Sequence, residues 1–130
     1  MTLGYARKYS EDDTHIIYEY SIENWNRPYR HEDQLFDGLI VMDKSTFVEP
    51  EIHEKLKKMP SGRKRLITKK ILVRVDVWKL IKEGKVEIQN SSRVWKKYYE
   101  IDYYAVMLCD IIYTKYQETG SAPEVTGFIQ

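Results

Sequence analysis

Residues 94–117 contain neither glycine nor proline, and apolar side chains recur along them at helical spacing. On a helix these side chains form two rows: Trp95, Tyr99, Tyr103, Val106 and Tyr113 in one, and Ile101, Ala105, Leu108 and Ile112 in the other. Two rows make a wide apolar face, which another layer of structure has to cover. The pattern therefore predicts a long C-terminal helix, ended by Gly120 and Pro123, that packs against a sheet.

The sheet is predicted in the first third of the chain. Apolar and polar residues alternate within residues 15–22, which indicates a strand with one buried face. Residues 5–9 are a candidate partner strand. Residues 35–42 are a third strand, in which Gly38 marks a bulge or a close approach.

Helical signals return after residue 45. Thr46 and Glu49 fit a capping box, and the apolar residues that follow share one helical face: Ile52, Leu56 and Met59. We predict a short helix here, stopped by the sequence Pro60-Ser61-Gly62. Residues 66–73 fit either a strand or the approach to the next helix.

A second short helix is predicted from Asp76, a good N-cap residue, to Gly84, which suits a helix C-terminus. Residues 86–89 fit a short strand, and residues 90–92 fit the cap of the last helix. The predicted fold class is α+β, with a small antiparallel sheet of N-terminal strands packed against the long C-terminal helix and one or two short helices.

The length of 130 residues suits one domain, residues 1–130. The polar tail, about residues 121–130, is expected to be loosely held. Residues 1–10 lack the apolar run of a signal peptide, and residues 105–113 are too short an apolar stretch to span a bilayer. With its single cysteine, Cys109, the chain is expected to be a cytoplasmic protein that uses no membrane.

Charge is divided unevenly along the chain. The formal net charge is only +1, but residues 1–54 carry −7, residues 55–97 carry +12 and residues 98–130 carry −4. From residue 55 to residue 74 there are nine lysines and arginines and no acidic residue. The alternative to a binding role is that these cations neutralise the acidic first third of the chain and otherwise face water.

This basic segment is the first candidate site. A turn that contains glycine can aim backbone N–H groups outward, and an arginine beside it can hold a phosphate or carboxylate with two hydrogen bonds. The predicted anion- or partner-binding residues are Lys57, Lys58, Arg63, Lys64, Arg65, Lys69 and Lys70.

Residues 23–34 form a polar segment that is longer than a hairpin needs. Its aromatic and basic side chains suit a contact surface carried by a loop on a rigid sheet. The predicted secondary contact loop consists of Trp25, Arg27, Tyr29, Arg30 and His31. The alternative is an ordinary surface loop whose aromatic side chains fold back onto the sheet.

Three functions fit these features, and the sequence favours them in the following order. The first is a non-enzymatic binding protein, without catalytic residues, whose basic segment meets an acidic protein partner or another anionic ligand. The second is a nucleic-acid-binding protein that uses the same segment, although no standard nucleic-acid-binding motif is present. The third is an enzyme acting on a phosphorylated substrate, in which Arg63 and Arg65 hold the phosphate and His31 or Asp110 moves a proton.

Metal and cofactor sites are not predicted. The three histidines lack metal-ligand spacing, and no phosphate-binding glycine loop is present. The sequence gives no oligomeric state.

Overall fold

The computed structural model of the protein describes residues 1–24 and 35–130. The strands are β1 (Thr2–Glu11), β2 (His15–Asn24), β3 (Gly38–Asp43), β4 (Glu51–Lys58), β5 (Lys64–Ile71), β6 (Val86–Gln89), β7 (Lys97–Tyr98), β8 (Ile101–Asp102) and β9 (Val125–Ile129). The helices are α1 (Val77–Lys82) and α2 (Tyr103–Thr119), and one turn of 3-10 helix spans Lys44–Thr46.

Five strands form one antiparallel sheet in the order β6–β3–β2–β1–β9. The β1–β2 turn is closed by the Asp12 carboxylate, which accepts the backbone N–H groups of Thr14 and His15 at 2.8 and 2.7 Å. These bonds favour the ionised form and lower the pKa of Asp12. The remaining strands form two separate hairpins, β4–β5 and β7–β8.

One face of the sheet belongs to the main core. Alternate residues of β2 and β3 point to this face, as strand geometry requires: Ile16, Tyr18, Tyr20, Ile22, Ile40 and Met42 are all buried. The buried side chains of α2, among them Ala105, Leu108 and Ile112, belong to the same apolar cluster. Cys109 is also buried there, and burial raises the pKa of its thiol.

The alternation that predicted a strand in residues 15–22 is confirmed by β2, and the partner strand and the third strand are confirmed by β1 and β3. The close approach at Gly38 is also confirmed, since a Cβ there would lie 2.3 Å from a ring carbon of Tyr20. The short helix begins at Asp76 as predicted, because the Asp76 side chain accepts the backbone N–H of Lys79. Strand β6 has the predicted bounds.

The predicted fold class is wrong in its proportions and in its last element. The structure is 46% strand and 22% helix, and α2 is the only helix of seven or more residues among those described. The sheet has five strands instead of the small N-terminal sheet expected, and the chain ends in a strand instead of a long C-terminal helix. Residues 121–130, expected to be loosely held, include β9, which pairs with β1.

Two predicted helical stretches are extended instead. Residues 51–59 were expected to be helical, but Glu51–Lys58 forms β4 and pairs with β5. Residues 94–102 were expected to start the long helix, but they contain the β7–β8 hairpin, and α2 begins only at Tyr103. The cap of α2 is Asp102, which accepts the backbone N–H of Tyr104 at 3.0 Å, and not residues 90–92.

Candidate partner-binding hairpin

The β4–β5 hairpin carries every residue of the predicted basic site. Lys57 and Lys58 end β4, Arg63 lies in the turn, and the remaining members are on β5: Lys64, Arg65, Lys69 and Lys70. The structure thus brings these residues together on one protruding element.

The turn of this hairpin is built by Pro60, Ser61 and Gly62, which the sequence pattern predicts as a helix stop. Gly62 donates its backbone N–H to the Met59 carbonyl at 2.9 Å, and Met59 donates to the Arg63 carbonyl at 2.7 Å. Gly62 has a φ of 83°, a left-handed conformation that glycine adopts at no steric cost. Three-residue hairpin loops typically combine a turn with one left-handed residue in this way.

The hairpin projects away from the core. All eight residues of β4 and seven of the eight residues of β5 are exposed. At about 3.3 Å per residue, each strand extends roughly 26 Å. A single two-stranded hairpin is at best marginally stable in water, so this element depends on its base and on anything that covers it.

The base of the hairpin is fixed to the C-terminal end of α2. The buried Gln117 side chain donates to the Val73 carbonyl and accepts the Val73 N–H, both at 2.7 Å. On the other strand, the Tyr116 hydroxyl donates to Glu49 at 3.0 Å, just before β4. Lys70 donates to the Glu118 carbonyl at 3.0 Å. These contacts position the hairpin without covering its outer part.

Cross-strand pairing sorts the hairpin side chains onto two faces, because directly opposed residues share a face. The first, which we name the cationic face, contains Glu51, His53, Lys55, Lys57, Arg65, Ile67, Lys69 and Ile71. The second, which we name the aliphatic face, contains Ile52, Glu54, Leu56, Lys58, Lys64, Leu66, Thr68 and Lys70.

The aliphatic face carries an exposed apolar centre. Leu56 lies directly opposite Leu66, and their exposed fractions are 61% and 53%. Ile52 continues the same side of β4 and is also exposed. Lysines lie beside this centre at both ends of the face: Lys58 and Lys64 near the turn, and Lys70 opposite Ile52.

The cations of the hairpin are not used in ion pairs within the described part of the chain. Residues 51–71 hold eight lysines and arginines and two glutamates, so they carry +6, and the rest of the protein carries −5. Apart from the contact of His53 with Glu51 within β4, the salt bridges of the described residues involve cations outside the hairpin, such as Lys8 with Glu124 and Arg93 with Glu23. The alternative that these cations neutralise the acidic first third receives no support from these contacts.

The predicted secondary contact loop cannot be placed in the same way. Trp25, Arg27, Tyr29, Arg30 and His31 lie outside the described residues. The beginning of this segment is described, and the Glu23 carboxylate there accepts the Arg93 guanidinium with both oxygens at 2.9 Å and the Ser21 hydroxyl at 3.2 Å.

Asp110, the proton-moving residue of the enzyme alternative, lies on the exposed side of α2. Partial desolvation raises the pKa of its carboxyl, and the charge of Arg74 opposes that rise. The hollow at Arg65 is lined by hairpin residues alone, whereas Arg74 and Asp76 line a separate hollow. Neither described hollow contains Asp110 together with an arginine of the turn.

A buried polar network at the N-terminal end of α2 was not predicted. Tyr20 donates its hydroxyl to the Asp102 carboxylate and accepts the backbone N–H of Ser91, both at 2.9 Å. Burial raises the pKa of Asp102 although the bonds from Tyr20 and Tyr104 lower it. Each of these groups is satisfied within the fold, so the network holds the sheet, the β6–β7 connection and α2 together.

Other functional features are limited in the described residues. No group of three or more histidine, cysteine or acidic side chains there is arranged to hold a metal ion. Of the helices described, none has the length and apolar character needed to cross a membrane. The chain matches no protein-family model, no curated protein and no solved structure at a significant level.

Sequence reasoning found the cations of the hairpin and missed Leu56 and Leu66 as site residues. The sequence pattern predicts Leu56 on the apolar face of a short helix and leaves Leu66 in a segment that fits either a strand or the approach to a helix. The sequence contained one signal for this apolar face. Ile52 and Leu56 lie four residues apart and therefore share a face of a strand as well as a face of a helix.

Proposed function

We propose that the protein is a non-enzymatic, cytoplasmic binding protein whose β4–β5 hairpin engages an acidic protein partner. The observation that carries this proposal is the aliphatic face, where the exposed Leu56–Leu66 pair lies among lysines on a hairpin that no other described strand pairs with. A partner surface that is apolar at its centre and acidic at its rim complements this arrangement, which is the usual anatomy of a protein interface.

The apolar centre favours a protein over a simple polyanion. At roughly 25 cal/mol per Å² of apolar surface, covering the exposed parts of Leu56 and Leu66 contributes about 2 kcal/mol each. A phosphate backbone offers no apolar surface that would gain this energy. The lysines at the rim add steering and orientation more than affinity.

A second candidate, nucleic acid, is supported by a different observation. The cationic face holds Lys55, Lys57, Arg65 and Lys69, so the hairpin is basic on both sides. A two-stranded ribbon fits the major groove of a duplex, where phosphates lie on both sides of it. This candidate makes no use of the exposed leucines.

Two double variants and one control separate the candidates. Leu56→Ser with Leu66→Ser removes the apolar centre, and Lys58→Glu with Lys64→Glu reverses the charge beside it at the turn end of the aliphatic face. The control, Lys79→Glu with Lys82→Glu, makes the same change in net charge on the exposed side of α1. Each chain is immobilised to capture partners from a lysate of the source cell, and each is titrated with a short DNA duplex at low and moderate salt.

The proposal expects an acidic protein whose capture, and whose affinity after purification, falls at least tenfold in both hairpin variants and not in the control. Duplex binding that is steeply salt-dependent, lost only in the charge-reversed hairpin and unaffected by the leucine variant, would instead establish the nucleic-acid candidate. Equal retention by all four chains would show that the hairpin is not the binding element.

A further inference from the structure

The two edge strands of the five-stranded sheet, β6 and β9, differ in length and in the charge of their residues. Strand β6 has four residues, includes Glu87, follows Lys85 directly and lies close to β8. Charged residues and neighbouring cover are devices that prevent a sheet edge from pairing with another chain. Strand β9, at the opposite edge, has the sequence VTGFI, with no charge and no proline.

The free backbone groups of β9 follow from its pairing with β1. Thr2 and Gln130 exchange two backbone hydrogen bonds, at 2.7 and 2.8 Å. Because inward- and outward-directed residues alternate along an antiparallel strand, the N–H and C=O groups of Val125, Gly127 and Ile129 point away from β1. In the described residues no strand pairs with this side of β9.

The side chains at this edge are apolar and open. Val125 and Ile129 have exposed fractions of 71% and 72%. A five-residue strand with a free backbone edge and exposed branched side chains is a template for the addition of another strand.

We infer that a second copy of this chain adds to β9, so that two β9 strands pair antiparallel about a two-fold axis through Gly127. This register places Val125 opposite Ile129 of the other copy, and the two strands exchange six backbone hydrogen bonds. The Glu124 side chain then faces the uncharged side chain of Gln130. The self-pairing joins the two sheets into one continuous sheet of ten strands.

Self-pairing is favoured over addition of a different peptide by this self-complementarity. The outward-pointing groups are symmetric about Gly127, and the two exposed side chains on one face are opposed to each other in the dimer. A C2 interface requires the same patch to fit itself in this way. The inference does not depend on the function proposed for the hairpin.

Sedimentation velocity of the full chain from about 1 to about 500 µM tests the association, because a dimer responds to concentration by mass action. The dimer is expected to weaken at least tenfold in Val125→Glu with Ile129→Glu, where the opposed residues repel each other. It is expected to recover in Val125→Glu with Ile129→Lys, where they attract. In the monomer the two positions are four residues apart on one strand, too distant to pair with each other.

Circular dichroism of both variants checks that each remains folded.

Amide hydrogen exchange tests the same interface residue by residue, since the N–H groups of Val125, Gly127 and Ile129 become protected from exchange with solvent only in the dimer. A wild-type chain that stays monomeric throughout the concentration range overturns the inference. Equal dimerisation of the two charged variants overturns it as well, because β9 would then not be the interface.

Discussion

Tyr20→Phe is expected to be among the most destabilising single-atom deletions in this protein. The Tyr20 side chain is fully buried, and its hydroxyl bridges Asp102 and the backbone N–H of Ser91. Phenylalanine keeps the ring and its packing. It removes both hydrogen bonds and leaves a buried N–H without its partner and a buried carboxylate with one bond fewer.

The magnitude follows from the two bonds. A hydrogen bond to a charged group contributes about 1.5–3 kcal/mol, and a neutral one about 0.5–1.5 kcal/mol. The expected loss is therefore about 2–4 kcal/mol in the free energy of unfolding, or on the order of 10 °C in Tm for a domain of this size. Tyr18→Phe is the matched control: its ring is equally buried, but its hydroxyl makes one neutral bond, to the Pro123 carbonyl at 2.6 Å.

The assay is urea denaturation of the wild type and both variants, followed by circular dichroism. The pH gives a second signature. Since the bond from Tyr20 lowers the pKa of Asp102, its loss raises that pKa further. A raised carboxyl pKa makes the folded state hold its proton more tightly, so stability is lost as pH rises through the folded pKa. The cost of Tyr20→Phe should therefore be larger at pH 7 than near pH 3. Equal costs for the two variants, or no pH dependence, would refute this account of the network.

Three further predictions follow from other buried contacts. Gln117→Ala should cost about 2 kcal/mol, because it removes two hydrogen bonds to Val73, and should speed amide exchange in β5 more than in β2. Gly38→Ala should lower Tm by several degrees, at about 1–3 kcal/mol, because its Cβ would overlap the immobile Tyr20 ring. The Cys109 thiol, which is buried and has a raised pKa, should react with a thiol reagent in native buffer only as fast as the protein unfolds.

The strands of the main sheet were predictable because one of their faces is buried. In β2 the core fixes which residues are apolar, so the period of two is visible in the sequence. Helix α1 was also predictable, since Asp76 caps it by a local hydrogen bond. The strand is determined by the burial of every second residue, and the helix by a hydrogen bond between residues close together in the sequence.

The β4–β5 hairpin was not predictable in this way because it buries neither face. Without burial, no apolar alternation is imposed on the strand. The spacing of Ile52 and Leu56 then fits a helix and a strand equally well, and Pro60-Ser61-Gly62 suits both a helix stop and a hairpin loop. The pairing with β5, which decides between them, is a long-range interaction that the local sequence does not show.

The β7–β8 hairpin was not predicted from the sequence for a different reason. Its loop residues, Tyr99 and Glu100, both have positive φ, 52° and 64°. Hairpin loops of this kind usually contain asparagine or glycine, which are the sequence signals of the turn. Here they are absent, and Trp95 and the loop residue Tyr99 fall at helical spacing with Tyr103 of α2. The predicted helix was therefore too long by about two turns.

The exposure of the β4–β5 hairpin made its strands hard to predict from the sequence, and it is also the reason to propose a function for the hairpin. A core-forming hairpin would gain its stability from the rest of the fold. Among the described residues, the contacts that fix this one are near its base, through Gln117, Tyr116 and Lys70. Retaining exposed leucines there brings no folding energy to the isolated chain. The eight lysines and arginines of the hairpin, none of which forms a salt bridge with a described residue, add mutual repulsion that an acidic surface would relieve. A partner that is apolar at its centre and acidic around it would cover the exposed leucines and relieve the repulsion between the cations. The aliphatic face of β4–β5 presents leucines and lysines together, so one such partner would serve for both.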